Sequence, residues 1–132
     1  MGASGSKWDP REAKNFNGQL LSIMITLEDF KKVAIAVGKI LSAEKVPDTD
    51  KLLKLSVDFG ETLPRQIVSG IALYFPDCSV LVGKKCMFVT NLESRTIRGL
   101  ESNGMLLAVS DEAGNFSLLE PDAKIPVGAK AK

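Results

Sequence analysis

Hydrophobic and polar residues alternate over short stretches of this chain, and turn-forming residues break the alternation at close intervals. The clearest stretch is Lys51 to Phe59. Leu53, Leu55, Val57 and Phe59 take one side, and Lys54, Ser56 and Asp58 the other. Successive side chains of a strand point to opposite faces, so this period of two predicts a half-buried strand that ends at the Gly60 turn. Upstream, Val33-Ala34-Ile35-Ala36-Val37 puts three β-branched residues on one face. After Gly38 the apolar phase slips to Ile40, and a glycine at a slip predicts a β-bulge at that position. Val46-Pro47-Asp48-Thr49-Asp50 is turn chemistry, because Pro presets φ and Asp caps its own backbone. Arg65 to Ile71 reads as another strand. Lys85 to Thr90 is apolar on both faces, as a strand enclosed on both sides would be. Arg95 to Ile97, Met105 to Val109 and Phe116 to Leu119 complete the set, with Asp111 to Asn115 as a Gly-containing hairpin loop.

Helical signals are few. Thr26-Leu27-Glu28-Asp29 has capping-box spacing with Thr26 as N-cap, followed by only a turn or two before the β pattern begins. Residues 71–83 read as a short helix or covering loop. The tail from Glu120 to Lys132 has two prolines and no period. Many short strands, frequent turns and little helix predict an all-β domain over roughly residues 33–119. At that size, a five-stranded Greek-key barrel with short flanking helices fits better than a seven-stranded sandwich. The barrel face and its loops would be the place for an oligonucleotide.

The chain has 132 residues, with 45% hydrophobic and 25% charged, which suits one globular domain. Seventeen Lys and Arg against sixteen Asp and Glu give a net charge of +1, so a wholesale polycation is excluded and any nucleic-acid contact must come from a local patch. There is no histidine, which removes Ser-His-Asp and Cys-His catalysis and Cys/His zinc sites. Two cysteines, Cys78 and Cys86, are no disulfide framework and suit a reducing cytoplasm. No apolar run reaches the roughly 18 residues of a membrane span. Met1 to Ser6 matches a myristoylation pattern in spelling but reads as a Gly/Ser scar. Residues 1–23 are therefore set aside as an N-terminal extension or tag-derived segment, with Met24 a candidate natural start and 24–132 as the organised domain.

Candidate chemistry is sparse. Asp48 and Asp50 read as an ordinary turn rather than a metal pair. Gly83-Lys84 lacks the upstream Gly and following Ser/Thr of a P-loop. No cofactor site, metal site or catalytic constellation is expected. What remains is Asn91 to Ala108, where two arginines flank a strand and a small polar loop leads into an apolar strand. Arg95 and Arg98 suit phosphates, while Ser102 and Asn103 offer hydrogen bonds to sugar or base edges. Gly104 allows close backbone approach and Met105 can pack on a base. The ordinary alternative is a plain hairpin with solvated arginines.

Ordered blocks then carry a resemblance. They include Asp29-Phe30, Val37-Gly38-Lys39-Ile40, Asp50-Lys51-Leu52, Leu55-Ser56-Val57-Asp58, Gly60-Glu61 and Arg65-Gln66-Ile67-Val68-Ser69-Gly70-Ile71. Further along stand Val82-Gly83-Lys84-Lys85, Asn91-Leu92, Arg98-Gly99 and Glu101-Ser102-Asn103-Gly104-Met105-Leu106-Leu107-Ala108. From about Leu27 to Lys130 the chain resembles the tRNA-binding-domain family built on the OB-fold. Its members include the C-terminal domain of bacterial methionyl-tRNA synthetases, free-standing structure-specific tRNA-binding proteins and the cytokine-like domain of endothelial monocyte-activating polypeptide. Two departures stand out. Val46-Pro47 replaces a common His-Pro, and Glu93-Ser94 replaces a common Lys-Pro, which subtracts positive charge beside the proposed groove.

The resemblance implies a non-catalytic, cytoplasmic tRNA-binding protein, resembling a methionyl-tRNA synthetase beta subunit or a free-standing tRNA-binding protein. The implied tRNA-binding residues are Lys39, Arg65, Asn91, Arg95, Arg98, Ser102, Asn103, Gly104 and Met105. Lys39, Arg65, Arg95 and Arg98 would neutralise phosphates, and Ser102, Asn103 and Met105 would make the specific contact. With only 6% aromatic residues, recognition of a structured RNA by backbone and 2′-OH fits better than base stacking. The expected partners are tRNA, a second copy of the chain (the apolar stretch Leu20 to Ile25 has no obvious place on a lone barrel) and an aminoacyl-tRNA synthetase. The competing class is a protein-binding export chaperone on a related OB-fold branch.

Overall fold

The computed structural model of the protein describes residues 24–132, so the stretch 1–23 and most of Leu20 to Ile25 lie outside the described residues. The chain divides into two units, residues 1–32 and 33–132. The described part of the first holds one helical turn, α1, Leu27–Phe30. Thr26 caps it as the spacing predicts, its Oγ1 accepting from the Asp29 amide at 3.1 Å.

The second unit is built on a five-stranded antiparallel sheet. Its strands are β1 Ile35–Lys45, β2 Leu53–Asp58, β3 Arg65–Ser69, β4 Lys85–Val89 and β7 Met105–Leu106, in the order β3-β2-β1-β4-β7. Three strands meander and the fourth returns beside the first, which is a Greek key. The sheet then curls until its edges nearly meet. The Asn103 amide donates to the Gln66 carbonyl at 2.9 Å, joining the approach to β7 to β3. The result is the all-β, five-stranded OB-type barrel expected from the strand spacing.

Two small ribbons leave this barrel. One is the hairpin of β5 Arg95–Ile97 and β6 Leu100–Ser102; the other pairs β8 Ala108–Ser110 with β9 Phe116–Leu118. The expected continuous strand Met105 to Val109 is thus broken at Leu107, whose amide turns back to the Met87 carbonyl at 3.0 Å. Residues 71–83 form two 3-10 turns, Ala72–Tyr74 and Cys78–Leu81, and the second drives Leu81 fully into the interior.

The inner face is what the period of two predicts for β2, with Leu53, Leu55, Val57 and Phe59 all buried. On β1 the expectation needs correction in two respects. The bulge falls between Ile40 and Ser42, not at Gly38, which pairs regularly with Cys86. The inward face is also Ala36, Gly38 and Ile40 rather than Val33, Ile35 and Val37. The physical reason lies inside the barrel. A Cβ on Gly38 would stand 2.5 Å from Val57 Cγ1 and 2.6 Å from Phe59 Cε1, so glycine here serves close approach. The extra residue that shifts the phase is Leu41, which is exposed. Gly38→Ala should therefore destabilise the unit by roughly 1–3 kcal/mol through overpacking, read by urea unfolding. An unchanged midpoint would show that the barrel wall gives way freely at this point.

Val37, on the opposite face, is only 1% exposed because the aperiodic tail covers it. The tail runs along the free edge of β1, with Gly128 and Ala131 amides donating to the Val37 and Ile35 carbonyls at 2.8 Å. Lys85 Nζ ties the tail down further through the Ala123 and Ile125 carbonyls at 3.0 and 2.8 Å. Cys86 lies in the core, and burial pushes its thiol up to about 11, so it acts as a small apolar residue. Among the described residues no helix is long and apolar enough to cross a membrane.

Candidate functional site

The β5–β6 hairpin is formed by a two-residue turn, Arg98-Gly99, between the ladder pair Ile97 and Leu100. Of the tight turns that match the right-handed strand twist, type I′ needs positive φ at both central residues. Arg98 has φ 53° and Gly99 has φ 79°. An arginine in the left-handed region is uncommon, and here it places the guanidinium at the hairpin tip. Arg95 stands on the same hairpin, opposite Ser102. Both arginines are exposed, and among the described residues neither has a hydrogen-bond or ion-pair partner. Glu93 and Glu101 lie nearby in sequence and leave the hairpin close to electrical balance, so the two arginines project no broad positive field.

The polar loop behind the hairpin divides its work between holding and presenting. Ser102 is 4% exposed. Its Oγ accepts from the Val68 amide at 3.0 Å and donates to the Gly104 carbonyl at 3.3 Å. A hydroxyl already spent on a buried donor and acceptor is anchored in the fold, which gives Ser102 a place different from the exposed contact expected of it. Gly104 has φ 155°, and a Cβ on it would stand 3.0 Å from Ile67 Cδ1 and 3.1 Å from the Val89 carbonyl. Its missing side chain therefore serves packing against the barrel. Asn103 is half-buried, with its backbone held on both sides; among the described residues its side-chain amide has no hydrogen-bond partner. Met105 opens β7 and is 45% exposed.

The remaining expected residues are spread more widely. Asn91 begins the segment that leads to β5, and its Oδ1 accepts from the Ala34 amide at 2.9 Å. Lys39 is exposed on the outer face of β1, in register with Asp58 on one side and Lys85 on the other. Its β4 neighbour Lys85 lies four residues before Val89, where the chain leaves for the hairpin, so Lys39 stands roughly 13 Å along the sheet from that point. Arg65 is far from free. Its Nε and Nη2 donate to the two carboxylate oxygens of Glu61, each at 2.8 Å, and its Nη1 donates to the Thr90 and Asn103 carbonyls at 2.6 and 3.2 Å. The guanidinium also lies over the Phe59 ring, 5.3 Å from its centroid. The paired hydrogen bond holds the Glu61 carboxyl below the usual carboxylate range and raises the Arg65 guanidinium.

The outer face of β1 to β3 adds residues that the sequence pattern did not single out. A shallow groove of about 400 Å³ is lined there by residues that include Ser42, Glu44, Lys54, Ser56 and Gln66, with Arg65 at its border. Gln66 links it to the hairpin, its Nε2 donating to the Glu101 carbonyl at 2.9 Å. The outward polar positions Lys54 and Ser56 of the alternating β2 pattern were its signal in the sequence. Rings are scarce on this side. Within residues 33–132, Phe59 and Phe88 lie in the core, and Tyr74 stacks on Phe116 at 4.0 Å beside Phe75. No aromatic residue stands on the hairpin.

Comparison with known proteins matches residues 35–130 to the model of a tRNA binding domain. The chain is 51% identical over 108 residues to the methionine–tRNA ligase of Methanospirillum hungatei, covering 82% of this chain and 16% of that protein. It thus spans about a sixth of the length of the curated relatives it matches. Among solved structures, the MetRS related protein of Pyrococcus horikoshii superposes with a TM-score of 0.76 at 40% identity, covering 83% of this chain and 98% of that one. The chaperone CsaA of Bacillus anthracis superposes with a TM-score of 0.72 at 28% identity, covering 83% and 99%.

Proposed function

The chain belongs to the tRNA-binding-domain family, and on that premise we propose that it is a non-catalytic module that recognises the folded shape of tRNA. In this reading residues 24–132 serve as the binding domain. The observation that carries it is the pairing of two unpartnered arginines on a rigid hairpin, Arg95 and Arg98, with an unpartnered Asn103 amide and an exposed Met105 at its base. Cationic forks meet phosphates whatever the sequence, while the short amide acts only at contact distance, where sugar and base edges decide. The absence of rings from the hairpin supports a structured target over stacked single strands. The module would work in the cytoplasm as a homodimer, beside or as part of a methionyl-tRNA synthetase.

The test is a salt titration of binding to whole tRNA and to an unstructured RNA of equal length. Tighter binding of tRNA at every salt concentration is expected, and equal affinity would overturn the reading. Asn103→Ala should cost about 1 kcal/mol with tRNA and little with the unstructured RNA, leaving the salt slope unchanged. The rival reading, a protein-binding chaperone, draws on the exposed Leu73, Val80 and Val82. It predicts capture of an unfolded polypeptide by a protein that neither RNA displaces.

A further inference from the structure

We propose that Arg65 is a positioning residue: its guanidinium fastens the neck of the β5–β6 hairpin and does not itself take a phosphate. The chain leaves the barrel after Val89 and rejoins it at Met105, and these two residues face each other in the ladder between β4 and β7. Everything between them, hairpin included, is an excursion. Thr90 is its first residue, and Asn103 stands near its end. Arg65 Nη1 donates to the carbonyls of both, at 2.6 and 3.2 Å, so a single nitrogen bridges the two sides of the neck.

The sequence places the arginine for this task. Arg65 opens β3 in register with Val57, on the same face as the buried Ile67. Its side chain thus starts from the inner face at the mouth of the barrel, over Phe59, and extends toward the strand ends. Glu61 holds the guanidinium from the other side through both carboxylate oxygens at 2.8 Å. An arginine has five N–H donors in a fixed fork. Both Nη1 hydrogens, the Nε hydrogen and one on Nη2 are engaged, which leaves a single donor. A phosphate held in the arginine manner takes two parallel N–H groups, and the fork edge made by Nε and Nη2 already grips Glu61. The side chain is 26% exposed, so it neither lies open to an approaching polyanion nor leaves its charge uncompensated.

Two neighbours show that the neck is a built joint. Ser102 Oγ holds the Val68 amide, and Gly104 lies too close to the Val89 carbonyl for a side chain to fit without displacement. Both locate the loop on the barrel; Arg65 alone spans the two sides with charge-assisted bonds. Fixing the neck fixes where Arg95, Arg98 and the Asn103 amide stand, since all three ride on the excursion or close it. Lysine in this place keeps the charge but has no planar fork.

The experiment compares wild type with Arg65→Lys, Arg65→Gln and Glu61→Gln in two ways. One is amide hydrogen exchange of residues 91–103 in the protein alone, and the other is tRNA affinity across a salt series. The RNA series rests on the tRNA-binding reading above, whereas the exchange measurement does not. For a clamp, Arg65→Lys quickens exchange at Asn103 and along the hairpin roughly tenfold while β1 and β2 keep their protection. Its tRNA affinity falls roughly tenfold with the wild-type salt slope, and Arg65→Gln does the same. Glu61→Gln, which keeps the arginine and covers the case in which the Arg65 variants do not fold, quickens the same amides and leaves the slope unchanged. The proposal is overturned if Arg65→Lys keeps full affinity, if Arg65→Gln lowers the slope by about one unit, or if freeing the fork in Glu61→Gln raises it by about one. It is overturned equally if hairpin exchange is the same in all four proteins. If wild type binds no tRNA, the functional reading fails, and the exchange result still decides the clamp.

Discussion

Phe88→Ala is expected to lower the unfolding free energy of the barrel by about 3–5 kcal/mol, the range for truncating a fully buried phenylalanine. Phe88 is 0% exposed at the middle of β4. It is paired with Ala36 on β1 and Leu106 on β7, so its ring stands where three strands of the closed sheet converge. It forms an edge-to-face pair with Phe59, with centroids 5.2 Å apart at 84°. The cavity cannot fill by collapse, because hydrogen-bonded strands on both sides hold the wall in place, and cavities that cannot collapse are the costly ones. For a unit of this size the melting temperature should drop by roughly 15–30 °C. Tyr74→Ala provides the contrast. That ring stacks on Phe116 but is 48% exposed, and its loss should cost about 1 kcal/mol. Urea unfolding with constant m-values checks both. Equal losses for the two variants would mean that the core is not centred on Phe88.

The second large effect concerns RNA. The double variant Arg95→Ala/Arg98→Ala should reduce the slope of log affinity against log salt by roughly 1.5 units, and reduce tRNA affinity about 30-fold near 0.1 M salt, as two lost phosphate contacts require. The folded state should be untouched, since among the described residues neither guanidinium holds a protein partner. Arg98→Ala relieves no backbone strain, because alanine at residue 98 meets the same left-handed turn. Lys124→Ala, which removes an exposed charge from the tail, is the control and should change the slope by less than half a unit. Filter or fluorescence titration at four salt concentrations separates the two. If the double variant keeps the wild-type slope, the phosphates are met elsewhere on the barrel, with the groove of Ser42, Lys54 and Gln66 the next place to look.

The pattern of β2 was legible because only one force acts on it. Leu53, Leu55 and Val57 face the core, Lys54, Ser56 and Asp58 face out, and burial alone decides the alternation. β1 was misread at Gly38 because three constraints overlap on it. It pairs with β2 over one half and β4 over the other, and the tail buries the outer side of Val37. A residue buried on the outer face looks, in sequence, like a member of the inner one. The glycine was conspicuous in the sequence, but its cause, a Val57 methyl and a Phe59 edge from elsewhere in the chain, has no local trace.

The candidate site shows the same division. Local sequence determined that residues 91–108 hold two arginines flanking a strand and a polar loop leading into an apolar one; the two-residue Arg98-Gly99 turn that makes a hairpin of it belongs to the folded structure. Period, turn chemistry and side-chain type are properties of neighbours along the chain. Which polar groups remain available is a property of neighbours in space. Arg65, Ser102 and Asn103 read alike as hydrogen-bonding residues, yet the fold spends the first on Glu61, Thr90 and the Asn103 carbonyl, spends the second on Val68 and Gly104, and leaves the amide of the third unclaimed. Barrel closure brings Arg65 of β3 against the neck of the hairpin at Thr90, twenty-five residues later in the chain, and a donor enclosed by that closure must satisfy the carbonyls it meets.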